Sequence, residues 1–259
     1  MVIKDIVTLL DNLYPKELAW DNDLPRIGFV LGDKNQELNG ILLCLDINLD
    51  VISEAITKNL NLIIAHHPLI FHPIYKIDYE TSQGKVIKKL IENNLNIYVM
   101  HTNLDVGISG VGDTLAETLG LKNIVGENLK DAYLRIGEIE EVKFKDIIDE
   151  VCVKLKLSGL KYAGNLEKKI KKVGILGGSG GSEADVMQAL NYGLDLYISS
   201  EFRLSAVQLA YNNDLCIIEV NHGVEKLVFP KLKNKLLEFV NTNICISEVE
   251  TDPFMYYKK

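Results

Sequence analysis

Apolar residues recur at helical spacing from the first residues onward. Ile3, Ile6, Val7, Leu10 and Leu13 fall on one face, so the pattern predicts an amphipathic helix. Short apolar runs then alternate with further helical patterns. IGFVLG (27–32) and GILLCLDI (40–47) read as strands, NLDVISEAITKNL as a helix opened by Asn48, and LIIA (62–65) as a buried strand. GKVIKKLIENN has helical spacing and LNIYVMHT strand character. The order strand, helix, strand, helix, strand predicts an α/β protein with largely parallel strands and helices on the faces.

The second half follows the same plan. KVGILGGSG reads as a strand entering a glycine-rich turn, and SEADVMQALNYG as a helix with a Ser182-x-x-Asp185 capping pattern that stops at Gly193. LDLYISSE, RLSAVQLAYNND and LCIIEVNHG continue as strand, helix and strand. When ILLCL is aligned with VGIL, IIAHHP falls opposite YISSE and YVMHTNLD opposite IEVNHGVE, which is the pattern an internal duplication leaves. Between the halves, AYLRIGEIE reads as a strand, and Phe144, Ile147, Ile148, Val151 and Leu155 share a helix face. The chain closes with a helix in KLVFPKLKNKLLEFV and a strand in NICISEVETDPF. The expected organisation is one tightly packed subunit of two similar, interlocked α/β halves with parallel or mixed sheets, residues 1–125 and 126–259, joined within LKNIVGENLKDAY (121–133).

Composition narrows the class. With 259 residues, 47% hydrophobic and 25% charged, the chain has the balance of a globular protein with a sizeable core. A net charge of -8 argues against nucleic acid as the main partner. Cys44, Cys152, Cys216 and Cys245 are far apart and form no C-x-x-C pair, which suits reduced, packed thiols. No run approaches the roughly 18 apolar residues of a membrane span, and MVIKDIVTLLDNL has acids where an export signal would be apolar. The expectation is a cytoplasmic protein without a membrane partner.

The candidate chemistry lies at strand ends. The five histidines fall in or beside three of them: His66, His67 and His72; His101 with Asp105; and His222 with Glu225. Ligands of open parallel sheets bind beyond the carboxyl ends of the strands, so this coincidence is a metal-site pattern. Successive side chains of a strand point to opposite sides, so His66 and His67 would more naturally serve two ions than one. Asp105 and Glu225 are the carboxylates to offset and bridge that charge, and His222 and Glu225 are one helical turn apart. A lone histidine at a strand end is more often structural, and Pro68 alone could end the strand; the joint occurrence carries the metal reading. His72, past Pro68, reads as loop. His101 stays open between ligand, partner of a ligand and acid catalyst. GGSGGSEAD (177–185) reads equally as a phosphate cradle or as a tight turn needing positive φ.

Taken together, HHPLIF, HTNLD, GGSG, ISSE, NHGVEK and TDPF resemble the dinuclear-metal hexameric family labelled GTP cyclohydrolase 1 type 2 homologues. The likeness runs from the first helix to the last strand and lies with the short form, since no room remains between the halves for an inserted domain. It implies a homohexameric ring whose subunits each hold two divalent ions, Zn, Mn, Fe or Ni. The implied ligands are His67 and Asp105 for one ion, His66 and His222 for the other, and Glu225 as the bridge. Ser200 stands where relatives carry glycine, and Glu201 is given no role. The expected function is a metal-dependent hydrolase acting on a nucleotide, phosphoester or C–N bond of an unidentified small molecule, with His101 moving the proton. The alternative is a non-catalytic metal-binding ring that regulates or binds other proteins.

Overall fold

Four-residue runs with every side chain buried, ILLC, LIIA, NIYV and LYIS, form inner strands of two sheets. The structure is a computed structural model, and it describes residues 1–126, 133–255 and 257. In chain order, α1 (Ile3–Leu13) is followed by β1 (Gly28–Leu31), β2 (Ile41–Cys44), α2 (Leu49–Thr57), β3 (Leu62–Ala65), α3 (Ser82–Glu92) and β4 (Asn96–Val99). Next come α4 (Thr102–Val106), α5 (Val111–Leu119), β5 (Lys122–Val125), β6 (Arg135–Lys143), α6 (Phe144–Lys154), β7 (Lys161–Ala163) and β8 (Lys169–Ile175). Then follow α7 (Glu183–Asn191), β9 (Leu196–Ser199), α8 (Leu204–Asn212) and β10 (Cys216–Glu219). A 3₁₀ helix (His222–Val228), α9 (Phe229–Leu237) and β11 (Ile244–Ile246) close the chain. The stretch expected to join the halves, 121–133, contains residues 127–132, which lie outside the described residues.

The elements form two compact units, Met1–Leu104 with Phe229–Thr251, and Asp105–Val228 with Asp252–Lys259. In the first unit the sheet order is β1-β4-β3-β2-β11, with β1 antiparallel to β4 and the other pairs parallel. Strand side chains alternate between faces, and Leu42, Cys44, Ile63, Ala65, Ile97 and Val99 form one such face under Val51, Ile52 and Ala55 of α2 and Leu90 of α3. The start of α2 is set by Asn48, whose side-chain oxygen accepts from the backbone N–H groups of Asp50 (3.0 Å) and Val51 (2.9 Å). Asn48→Ala leaves those donors to water and is expected to cost about 1 kcal/mol. The check is a lowered urea midpoint with unchanged denaturant slope.

In the second unit the order is β5-β6-β8-β9-β10-β7, with β8, β9 and β10 mutually parallel and the remaining pairs antiparallel. Val186 and Ala189 of α7 and Ala206 and Ala210 of α8 pack with Tyr197, Ile217, Leu134 and Ile136. Ser182 caps α7 as its spacing predicts: its hydroxyl accepts from the Asp185 N–H, and the Asp185 carboxylate accepts from the Ser182 N–H. The expected mixed α/β architecture with two helix-flanked sheets is therefore the observed one.

Parallel register decides which loops share an edge. Cys44, Ala65 and Val99 are mutual neighbours in the first sheet, so Asp46, His66, His67 and His101 leave at one edge. In the second sheet Ile175 pairs with Ile198, and Ser199 with Glu219, so Gly178, Glu201 and His222 leave together. Several strands end earlier than their apolar runs suggest: β4 stops at Val99 and β9 at Ser199. Among the described residues no helix is long and apolar enough to cross a membrane, and the four cysteines are free.

Candidate metal centre

In the first unit three imidazoles gather at the sheet edge. The ring centroids of His66 and His67 lie 5.0 Å apart, and His101 is 5.4 Å from His66 and 5.9 Å from His67. The expectation that His66 and His67 point to opposite faces of a strand is corrected here. β3 ends at Ala65, and the consecutive N–H groups of His66 and His67 both donate back, to the carbonyls of Cys44 and Leu45. That bend breaks the strand alternation and sets the rings side by side.

Each ring is oriented through Nδ1. His66, 1% exposed, directs it to the Met100 carbonyl at 2.8 Å; His67 meets Asp46 Oδ1 at 2.6 Å, and His101 meets Asp23 Oδ2 at 2.8 Å. All three acceptors are oxygens, so Nδ1 carries a proton, and in the neutral ring Nε2 then holds the lone pair. Asp23 is buried and also accepts from the hydroxyl (2.7 Å) and N–H (3.3 Å) of Thr102. Burial alone would raise its carboxyl, but the hydrogen bond and charge attraction of His101, with the two Thr102 bonds, hold it below the usual carboxylate range. His72 lies exposed between β3 and α3 and is not in this cluster.

In the second unit the 3₁₀ helix brings the ends of NHGVE together, with His222 Nε2 3.3 Å from Glu225 Oε2. Glu225 is 2% exposed. On its other side, His222 Nδ1 meets Glu201 Oε1 at 2.7 Å. A neutral imidazole donates from one nitrogen only. Facing carboxylates on both, His222 needs a second proton or a cation at Nε2. Gly178 (φ +69°) packs so close that a Cβ there would sit 2.9 Å from Glu225 Oε1 and 3.5 Å from His222 Nε2. This assigns the glycine loop: it is a tight turn that lets backbone reach the Glu225 carboxylate, and the N-terminus of the helix behind it is capped by the chain itself. Asp105 lies on α4, one turn past the strand end where its spacing places it. Its successor Val106 accepts at its carbonyl from the buried Arg135 Nη2 at 2.9 Å.

His66 and His67 of the first unit and Glu225 of the second are side chains of the kind that can hold a metal ion. Imidazole nitrogen with carboxylate oxygen and no thiolate suits Zn, Mn, Fe or Ni. Asp46, Asp23 and Glu201 are the histidine partners that the sequence left unassigned. A lone acid beside a strand end carries no periodic signal, and each is recognisable only by the histidine the fold sets against it.

A model of the family described as Duf34/NIF3 (NGG1p interacting factor 3) matches residues 1–253. The chain belongs to the Duf34/NIF3 family. A Clostridium acetobutylicum protein called GTP cyclohydrolase 1 type 2 homolog is 32% identical over 267 residues, spanning 98% of each chain. Two solved structures share the Duf34/NIF3 fold of this chain at a TM-score of 0.90 with 99% of each chain covered: a Staphylococcus aureus hypothetical protein at 30% identity and a Bacillus cereus protein related to NIF3 at 25%. The resemblance carried by HHPLIF, HTNLD and NHGVEK thus holds over nearly the whole chain.

Proposed function

We propose that the protein binds two divalent metal ions and uses them to hydrolyse a nucleotide, phosphoester or C–N bond. The observation that carries the reading is the shared orientation of the strand-end histidines: Nδ1 of His66, His67, His101 and His222 faces an oxygen acceptor in every case. That is the arrangement that fixes imidazoles as nitrogen ligands, because the occupied Nδ1 sets ring orientation and leaves the Nε2 lone pair to bind. His66, His67, Asp105, His222 and Glu225 would hold the ions. Bound there, the ions would lower the pKa of a coordinated water towards neutrality and polarise the bond to be broken.

The remaining work falls to the chain. Asp23 keeps the Nδ1 proton of His101 in place, so His101 offers Nε2 to accept a proton and return it to the leaving group. Glu201 holds His222 in the same manner. The name carried by the relatives makes GTP the first substrate to try, followed by phosphoesters and amides.

Elemental analysis of protein purified without chelator is expected to show two ions per chain, and an Asp105→Ala, Glu225→Ala double variant to show none. His101→Asn is expected to keep the metal and lose about 100- to 10,000-fold in turnover. Ions retained by the double variant would refute the ligand set. A metal-loaded parent inert on all three substrate classes would refute the hydrolase and leave the non-catalytic ring as the reading.

A further inference from the structure

Asp46 leaves β2 two residues after Cys44, and both of its carboxylate oxygens are engaged. Oδ1 accepts from His67 Nδ1 at 2.6 Å and Oδ2 from the Thr251 hydroxyl at 2.6 Å. The sheet brings Thr251 there. β11 runs parallel to β2 with Ile246 opposite Leu43, and the Ser247 N–H donates to the Leu43 carbonyl at 2.8 Å. Glu54 of α2 then guides the outgoing chain, accepting from the Ser247 hydroxyl (2.5 Å) and the Glu248 N–H (3.1 Å). The last strand therefore returns a hydroxyl to a carboxylate that orients a histidine.

Resting on the metal centre proposed above, we infer that Thr251 and Asp46 are positioning residues for His67, so that the segment after the last strand helps to set metal affinity. A hydroxyl has one proton, and Thr251 gives it to Asp46, which fixes the carboxylate's rotation. The fixed carboxylate holds the His67 Nδ1 proton, which sets the ring plane and makes Nε2 a better electron-pair donor. The Asp46 side chain is 40% exposed, and the Thr251 hydroxyl adds a directional constraint to its carboxylate.

The test is Zn²⁺ binding to the full chain by chelator competition, with long-range ¹H–¹⁵N NMR of the metal-free protein to read the His67 tautomer. Asp46→Ala is expected to bind Zn²⁺ about 10- to 100-fold more weakly and to lose the Nδ1–H tautomer, a change that a merely structural role would not produce. Thr251→Val is expected to shift both readouts in the same direction by less, and Thr251→Ser, which keeps the hydroxyl, to match the parent. Thermal melting identifies variants that fail to fold, and the milder Thr251 pair carries the comparison if Asp46→Ala is one of them. Parent-like affinity and tautomer in Asp46→Ala, or in Thr251→Val where Asp46→Ala does not fold, would overturn the inference. A parent that binds no Zn²⁺ would instead refute the metal centre, and the tautomer would still decide whether Asp46 and Thr251 orient His67.

Discussion

Arg135→Ala is expected to cost about 3–5 kcal/mol of stability, the range for removing one partner of a buried ion pair. Arg135 is fully buried, and its Nε donates to Asp113 Oδ1 at 2.5 Å while Nη2 donates to the Val106 carbonyl. Asp113, 3% exposed, also accepts from the Ser109 N–H at 2.7 Å. Truncating the arginine strands a carboxylate away from water and leaves the Val106 carbonyl without this donor, two desolvation costs at once. Replacing both charges, as in Arg135→Met with Asp113→Leu, should recover much of the loss, because a buried pair is close to neutral against an apolar pair of similar volume. It should not recover all of it, since the bonds to Val106 and Ser109 have no apolar equivalent. Urea unfolding of the three variants tests this, and a loss below about 1 kcal/mol for Arg135→Ala would show the pair to be incidental. The pair braces the segment that follows Asp105, so the single variant should also weaken metal binding.

How much of this was legible beforehand differs between framework and site. The inner strands were readable because burial on both faces demands uninterrupted apolar runs, and α1, α2 and α6 because their apolar positions recur at helical spacing. Exposed strands were not. β5 and β7 carry mostly exposed side chains, so nothing in their patterns requires a sheet. The ends of β4 and β9 were overrun because burial continues through Met100 and Ser200 after sheet pairing has stopped. At the strand ends, the residue types singled out His66, His67, His101 and His222 as candidates. The side-by-side placement of His66 and His67 depended on a backbone bend made by Cys44 and Leu45, more than twenty residues away by count from the sequence. Their partners Asp46, Asp23 and Glu201 depended on sheet register, which no local pattern encodes. Glu201 in particular sits at φ +57°, a conformation uncommon for a residue with a side chain, and there its carboxylate meets His222.

The same distinction between local and tertiary demand separates two glycines that look alike in sequence. Gly178 and Gly193 both have left-handed backbone, at φ +69° and +64°. A Cβ on Gly193 would meet nothing within 4 Å, whereas on Gly178 it would lie 2.9 Å from Glu225 Oε1 and 3.5 Å from His222 Nε2. Gly178 cannot easily withdraw, because its carbonyl accepts from the N–H groups of Gly180 (3.0 Å) and Ser200 (3.2 Å). Both alanine variants should therefore pay the left-handed penalty of about 1–2 kcal/mol, visible as similar falls in urea midpoint. Only Gly178→Ala should also displace the Glu225 carboxylate and the His222 ring, and with them the bound metal. Elemental analysis of the two purified variants gives the comparison, with Gly193→Ala correcting for backbone strain. If Gly178→Ala keeps the parent's metal, Glu225 is not a ligand at the position its side chain occupies. If Gly193→Ala loses metal as well, the loss reports strain in the chain and says nothing about the close approach of Gly178.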